Sequence, residues 1–148
     1  MNVEERIKTK EQIPLDRRTI IHMMLVNNTI NEQIAIALKP FDISIQQFNV
    51  LRILRGQKGK PANLSTLNER MVTRMSNTTR LVDKLMSKGY VDRITCPSNR
   101  RKVEINLTKK GTDKLLEMDK TMAQTEAALL NQFSDSDMKQ LNFLLNKF

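Results

Sequence analysis

At 148 residues, with 39% apolar and 28% charged side chains, the chain can bury one packed core and lacks the composition of a disordered polymer. No apolar run approaches the roughly 18 residues of a membrane span, and a single cysteine, Cys96, excludes an internal disulfide and a cysteine-built zinc knuckle. The formal net charge of +9 is uneven: Arg52 to Lys110 holds 15 Lys/Arg against four Asp/Glu, and the remainder is slightly acidic. A basic block in near-neutral surroundings points to a polyanion surface on one part of the molecule, although basic faces also occur as plain solvated surface. The first ten residues alternate charges without an apolar stretch, so no secretory signal is read and a cytoplasmic location is expected.

Taken in chain order, Pro14 to Leu38 places Ile20, Ile21, Met24, Leu25, Ile34, Ala35 and Leu38 at mostly three- and four-residue steps, which predicts a long amphipathic helix stopped by Pro40. Ser44 followed by Gln47 reads as a capping box for a second helix, which carries Ile45, Phe48, Leu51, Ile53 and Leu54 and fades into the breaker stretch from Gly56 to Pro61. A short helix, Leu64 to Met71, follows. Thr73 is expected to cap a further helix that runs to about Lys88 and stops at Gly89. The period then changes: Val103, Ile105 and Leu107 alternate with Lys102, Glu104 and Asn106, which is strand spacing. Tyr90 to Thr95 is the natural antiparallel partner, with Cys96 to Arg100 at the tip. Thr108 restarts helix through Leu115, Met118, Met122 and Leu129, and Ser134 with Asp137 opens a last helix lined by Leu141, Leu144 and Leu145. The predicted fold class is mainly α with a small β-ribbon: a winged helix-turn-helix between flanking helices.

On a helical wheel, Thr73 to Lys88 divides cleanly. Met75, Thr78, Leu81, Val82, Leu85 and Met86 fall on one side, and Ser76, Asn77, Thr79, Arg80, Asp83, Lys84, Ser87 and Lys88 on the other. A helix that enters the major groove needs this division, with one stripe held to its domain and one polar face free. Asn suits adenine, Arg suits guanine, and Ser or Thr can serve bases or phosphates, which makes Ser76, Asn77, Thr79 and Arg80 the candidate readers. Lys84 and Lys88 sit farther along, where phosphate contact is expected. The free N–H groups near Thr73 and Arg74 could receive a phosphate at the helix start. A solvated surface helix would mix Glu with Lys, whereas this face carries only Asp83 as an acid. Arg100, Arg101 and Lys102 cluster at the ribbon tip, where an Arg can enter a narrow A·T-rich minor groove; charge that protects an exposed strand edge is the plainer alternative.

The run from Leu64-Ser65-Thr66-Leu67 through Thr78-Thr79-Arg80-Leu81-Val82-Asp83-Lys84-Leu85 to Lys88-Gly89-Tyr90-Val91 resembles the multiple antibiotic resistance regulator (MarR) family. Arg100-Arg101 followed by Val103 and the run Ile105 to Gly111 resembles its wing and next helix. The likeness extends over most of the chain from about Leu15. It implies a homodimer whose first and last two helices form the interface, on a pseudo-palindromic operator in double-stranded DNA. It adds Ser65 to the candidate DNA contacts, and divides the chain into an N-terminal dimerisation region (1–40), a DNA-binding head (41–110) and C-terminal dimerisation helices (111–148). It further implies a small aromatic or phenolic effector that enters a cleft between head and dimer helices and releases DNA. Two departures stand out: Asn99 replaces the family's usual Asp beside the wing arginines, and Val72 and Met75 replace the common Gly and Lys at the recognition-helix start.

Catalytic chemistry finds no residues. His22 is the only histidine and has no partners for a metal site or a triad. Cys96 has Arg93 and Arg100 nearby to favour thiolate, but no resolving cysteine, and reads as an incidental thiol. Gly56 and Gly59 lack the Gly-Lys-Ser/Thr of a phosphate loop. Neither a cofactor nor a metal is expected. The leading expectation is a non-enzymatic, sequence-specific transcriptional regulator acting as a repressor. A winged-helix protein-interaction module that binds nucleic acid without sequence preference stays open beside it. Single-stranded RNA is disfavoured, because 4% aromatics supply few stacking platforms.

Overall fold

The computed structural model describes residues 2–72, 77–95 and 103–148. A short helix, α1 (Val3–Arg6), was not anticipated; four residues carry too little periodicity to signal one. The Asn2 side chain accepts from the backbone N–H groups of Glu4 and Glu5 to start it. Its Glu4 carboxylate accepts two bonds from the Arg18 guanidinium, at 2.7 and 3.2 Å, and Val3 beneath is fully buried.

The long helix is α2 (Leu15–Leu38), with Pro14 at its N-cap. It ends ahead of Pro40 as expected, but without an extended residue before the proline. Lys39, the residue before Pro40, keeps α conformation, and Lys39–Phe41 tightens into a 3-10 turn. Proline lacks the N–H needed to extend the α ladder, and Asp42, at φ +52°, then turns the chain. Helix α3 (Ile45–Gly56) starts with the expected capping box: Ser44 N–H donates to Gln47 Oε1 at 2.9 Å, and Gln47 N–H to Ser44 Oγ at 3.2 Å. It drives Phe48, Val50, Leu51 and Leu54 into the core. Asn63 caps α4 (Leu64–Arg70) by accepting from Thr66 N–H at 2.8 Å.

Helix α5 (Thr78–Ser87) leads through Gly89, at φ +71°, into β1 (Val91–Thr95), which pairs antiparallel with β2 (Val103–Leu107) from Val91–Leu107 to Thr95–Val103. Ala62 forms an isolated antiparallel bridge to β2 by exchanging two backbone bonds with Ile105, at 3.0 and 2.8 Å. Thr108 caps α6 (Lys109–Leu129), and a Ser134–Asp137 capping box opens α7 (Asp135–Leu145).

One continuous core joins these pieces. Leu51, Leu54, Leu67, Val82, Leu85, Val91 and Ile105 from the helix-turn-helix and ribbon meet Leu38 at the end of α2 and Leu115, Met118 and Met122 from α6. Arg55 on α3 pairs with Asp119 on α6 across the same junction. By contrast, α2 buries only Leu38 of its own residues and α7 buries none. Apolar side chains on both stay open: Leu15 is 79% exposed, Met24 61%, Leu144 47% and Leu145 47%.

Candidate nucleic-acid interface

The division expected of the reading helix is present in α5. Thr78, Val82 and Leu85 are buried, and Leu81 and Met86 pack partly buried against the core. Thr79, Arg80, Asp83, Lys84 and Ser87 are exposed. Successive residues turn by about 100°, so a stripe at three- and four-residue steps leaves the opposite face to solvent.

The start of this helix differs from expectation. A helix capped at Thr73 is not what the described residues carry: α5 begins at Thr78, and Asn77 is its N-cap rather than a member of its polar face. Asn77 has φ −138° and ψ 39°, and its side chain makes no capping bond. A wheel drawn from sequence cannot detect this, because Met75 and Thr78 continue the stripe whichever residue opens the helix. Thr73, Arg74 and Ser76 lie outside the described residues, as do Cys96 and the expected tip contacts Arg100, Arg101 and Lys102.

Charge on the described face is arranged by its neighbours. Arg93 on β1 approaches Asp83 at 3.4 Å, which partly offsets the one acid of α5. Lys88, expected to reach phosphate, also pairs with Asp42 at the elbow after α2, and its ammonium holds the Asp42 carboxyl below the usual carboxylate range. Arg80 and Lys84 form no ion pair among the described residues. Ser65, exposed on α4, spends its hydroxyl proton on Glu69 Oε1 at 2.9 Å and keeps acceptor capacity only. The C-terminal end of α5 is held firmly: Lys110 Nζ donates to the Lys88 carbonyl and Thr108 Oγ1 to the Gly89 carbonyl, each at 2.8 Å.

One contact had no signal in the sequence. The Thr78 hydroxyl donates to Asn68 Oδ1 on α4, linking residues ten apart across the turn. Thr78 falls on the apolar stripe, and nothing in the spacing names a polar partner for it.

Away from this face, a groove of about 500 Å³ runs between α2 and α6, lined by Thr29, Gln33, Ile36, Thr121, Thr125 and Leu129 among others. Its walls carry hydroxyls, amides and methyls without a charged side chain. No group of three or more His, Cys, Asp or Glu that could hold a metal occurs among the described residues. No described helix is long and apolar enough to cross a membrane.

Comparison with known proteins agrees with the local geometry. The MarR family model matches residues 43–103. A MarR-like transcription regulator from Bacillus cereus ATCC 10987 superposes with a TM-score of 0.80 at 26% identity, covering 89% of this chain and 94% of that one. A cysteine-to-serine mutant of MarR from E. coli, complexed with operator DNA, gives 0.75 at 28% identity, covering 99% and 98%. An organohalide-sensing transcriptional regulator in its 2,4-dichlorophenol-bound form gives 0.83 at 18% identity, covering 92% and 80%, a likeness of fold. Residues 43–103 thus match the MarR family model, and the chain shares the winged-helix fold of MarR-family transcription regulators.

Proposed function

We propose that the protein is a homodimeric, sequence-specific repressor that places α5 in the major groove of a pseudo-palindromic operator. The observation that carries this reading is the exposed face of α5, where Arg80 and Lys84 stand without ion-pair partners among the described residues, opposite a buried stripe that fixes the helix. Arg80 is the candidate base reader, with Thr79 and Ser65 as shorter hydroxyl contacts and Lys84 on phosphate. Asn77, at the helix cap, offers its amide beside them. Thr73, Arg74, Ser76, Arg100, Arg101 and Lys102 complete the proposed set on sequence grounds. The operator complex of the E. coli MarR mutant supports the same use of this fold.

Dimerisation follows from the open apolar faces of α2 and α7. Burying them in a second copy removes apolar area from water at roughly 25 cal/mol per Å², and a two-fold pair is the commonest closed arrangement. Regions 1–40 and 111–148 then serve assembly, and 41–110 reads DNA. The cleft between head and dimer helices is the proposed place for a small effector, aromatic or phenolic, whose binding loosens the grip on DNA.

Selection of bound duplexes from a random pool, followed by affinity against salt, tests the reading. A two-fold symmetric motif with half-sites about one helical turn apart is expected. Binding without a motif that vanishes as salt rises would overturn it in favour of a protein-interaction module.

A further inference from the structure

We infer that Asn68 is a positioning residue for DNA reading: through the buried Thr78 hydroxyl it sets where the first turn of α5, and with it Arg80, lies against α4. The inference deepens the DNA-binding reading and rests on it. Its basis is an asymmetry between the two ends of α5. The C-terminal end is held by Lys88 to Asp42, Lys110 to the Lys88 carbonyl, and Thr108 to the Gly89 carbonyl. At the N-terminal end no side-chain cap occurs among the described residues, since Asn77 makes none.

What replaces the cap is a tertiary bond. Thr78 is 4% exposed, and its hydroxyl, removed from water, is satisfied by Asn68 Oδ1. Helix α4 is only seven residues long and buries Leu67 alone, so apolar packing between the two helices is thin. Among the described residues this is the one side-chain hydrogen bond between α4 and α5, and it adds direction to the apolar packing of α5 on the core. Thr78 and Arg80 are two residues apart, about 200° around the helix, so a tilt at the buried side moves Arg80 on the opposite face. Loss of the bond leaves the C-terminal anchors as a pivot. A guanidinium that reads a base edge in a bidentate manner tolerates little such motion.

The test compares wild type with Asn68→Ala, Thr78→Val, Asn68→Ala/Thr78→Val and Asn68→Asp. Affinities are measured at fixed salt for the selected operator and for a scrambled duplex, with thermal melting of each variant. Asn68→Ala should weaken the operator about tenfold, the scale of one misplaced base contact, and leave the scrambled duplex unchanged. Thr78→Val places a methyl where the hydroxyl sits, keeps the fold, and should do the same; the double variant should be no worse than Asn68→Ala. Asn68→Asp keeps the acceptor and adds a negative charge, so both duplexes should weaken by one factor and their ratio persist. A wild type that discriminates, beside Asn68→Ala and Thr78→Val variants that discriminate equally well, overturns the proposal alone. A wild type with equal affinity for both duplexes overturns the DNA reading and the proposal with it.

Discussion

Gly111 shows how sharply one residue can be constrained. A Cβ there would stand 2.1 Å from the Tyr90 carbonyl oxygen and 3.0 Å from Leu107 Cδ1. The first obstacle is backbone, in the junction where Thr108 N–H also donates to the Tyr90 carbonyl, so no rotamer change relieves it. Gly111→Ala should destabilise the fold by roughly 3 kcal/mol or more, at the upper end of overpacking effects, read from urea unfolding. The Glu4 carboxyl is lowered chiefly by its hydrogen bond from Arg18. A depressed carboxylate stabilises above its unfolded pKa, and that contribution is lost as pH falls through the folded value. Docking of α1 should therefore hold at neutral pH and fail below the ordinary carboxylate range, with Glu4→Gln abolishing that pH dependence in amide exchange. Arg80→Ala should cost about 1–3 kcal/mol in operator affinity and relax preference at one base position, measured by competition between operator variants; equal weakening on all duplexes would assign Arg80 to phosphate.

Among the elements, α3 is the strut of the head. Its cap is reciprocal, and its inner face carries Phe48, Val50, Leu51 and Leu54. Ser44→Ala removes the side-chain acceptor for Gln47 N–H and should lower stability by about 0.5–2 kcal/mol, visible as a fall in Tm. Leu51, fully buried, leaves a cavity when cut back, and Leu51→Ala should cost about 2–5 kcal/mol. The contrast between these two values separates a local helix end from a shared core. Helix α5 adds a different lesson: its end toward β1 is over-determined by three polar contacts, and its beginning depends on a neighbour's side chain.

At the level of the whole molecule, α7 is a helix without a core of its own. Leu141, Leu144, Leu145 and Phe148 recur at three- and four-residue steps and all remain exposed in the single chain. On the proposed homodimer, Leu145→Asp should shift the protein from dimer to monomer at micromolar concentration in sedimentation, leave melting of the head largely intact, and weaken operator binding by about 10²–10⁴-fold as two linked heads become independent. An unchanged sedimentation coefficient would remove α7 from the interface.

Much of this architecture was legible in order and type. Period-3.6 stripes marked the long helices, period-2 alternation marked Val103 to Leu107, and Ser44–Gln47 and Ser134–Asp137 marked helix starts, because each signal lies within a few residues and obeys local geometry. The MarR likeness was legible as well, on the runs from Leu64 to Val91 and from Arg100 to Gly111. The start of α5 at Thr78 was not, since the apolar stripe continues through Met75 and hides the break. Nor was the pairing of Lys88 with Asp42, 46 residues away. The bond from Thr78 to Asn68 is of the same kind. The sequence by itself determined which faces are apolar and where the positive charge lies; the tertiary structure alone decided which polar groups meet. Burial is a property of one element's period, while a hydrogen bond between elements depends on their relative placement, which no local pattern encodes.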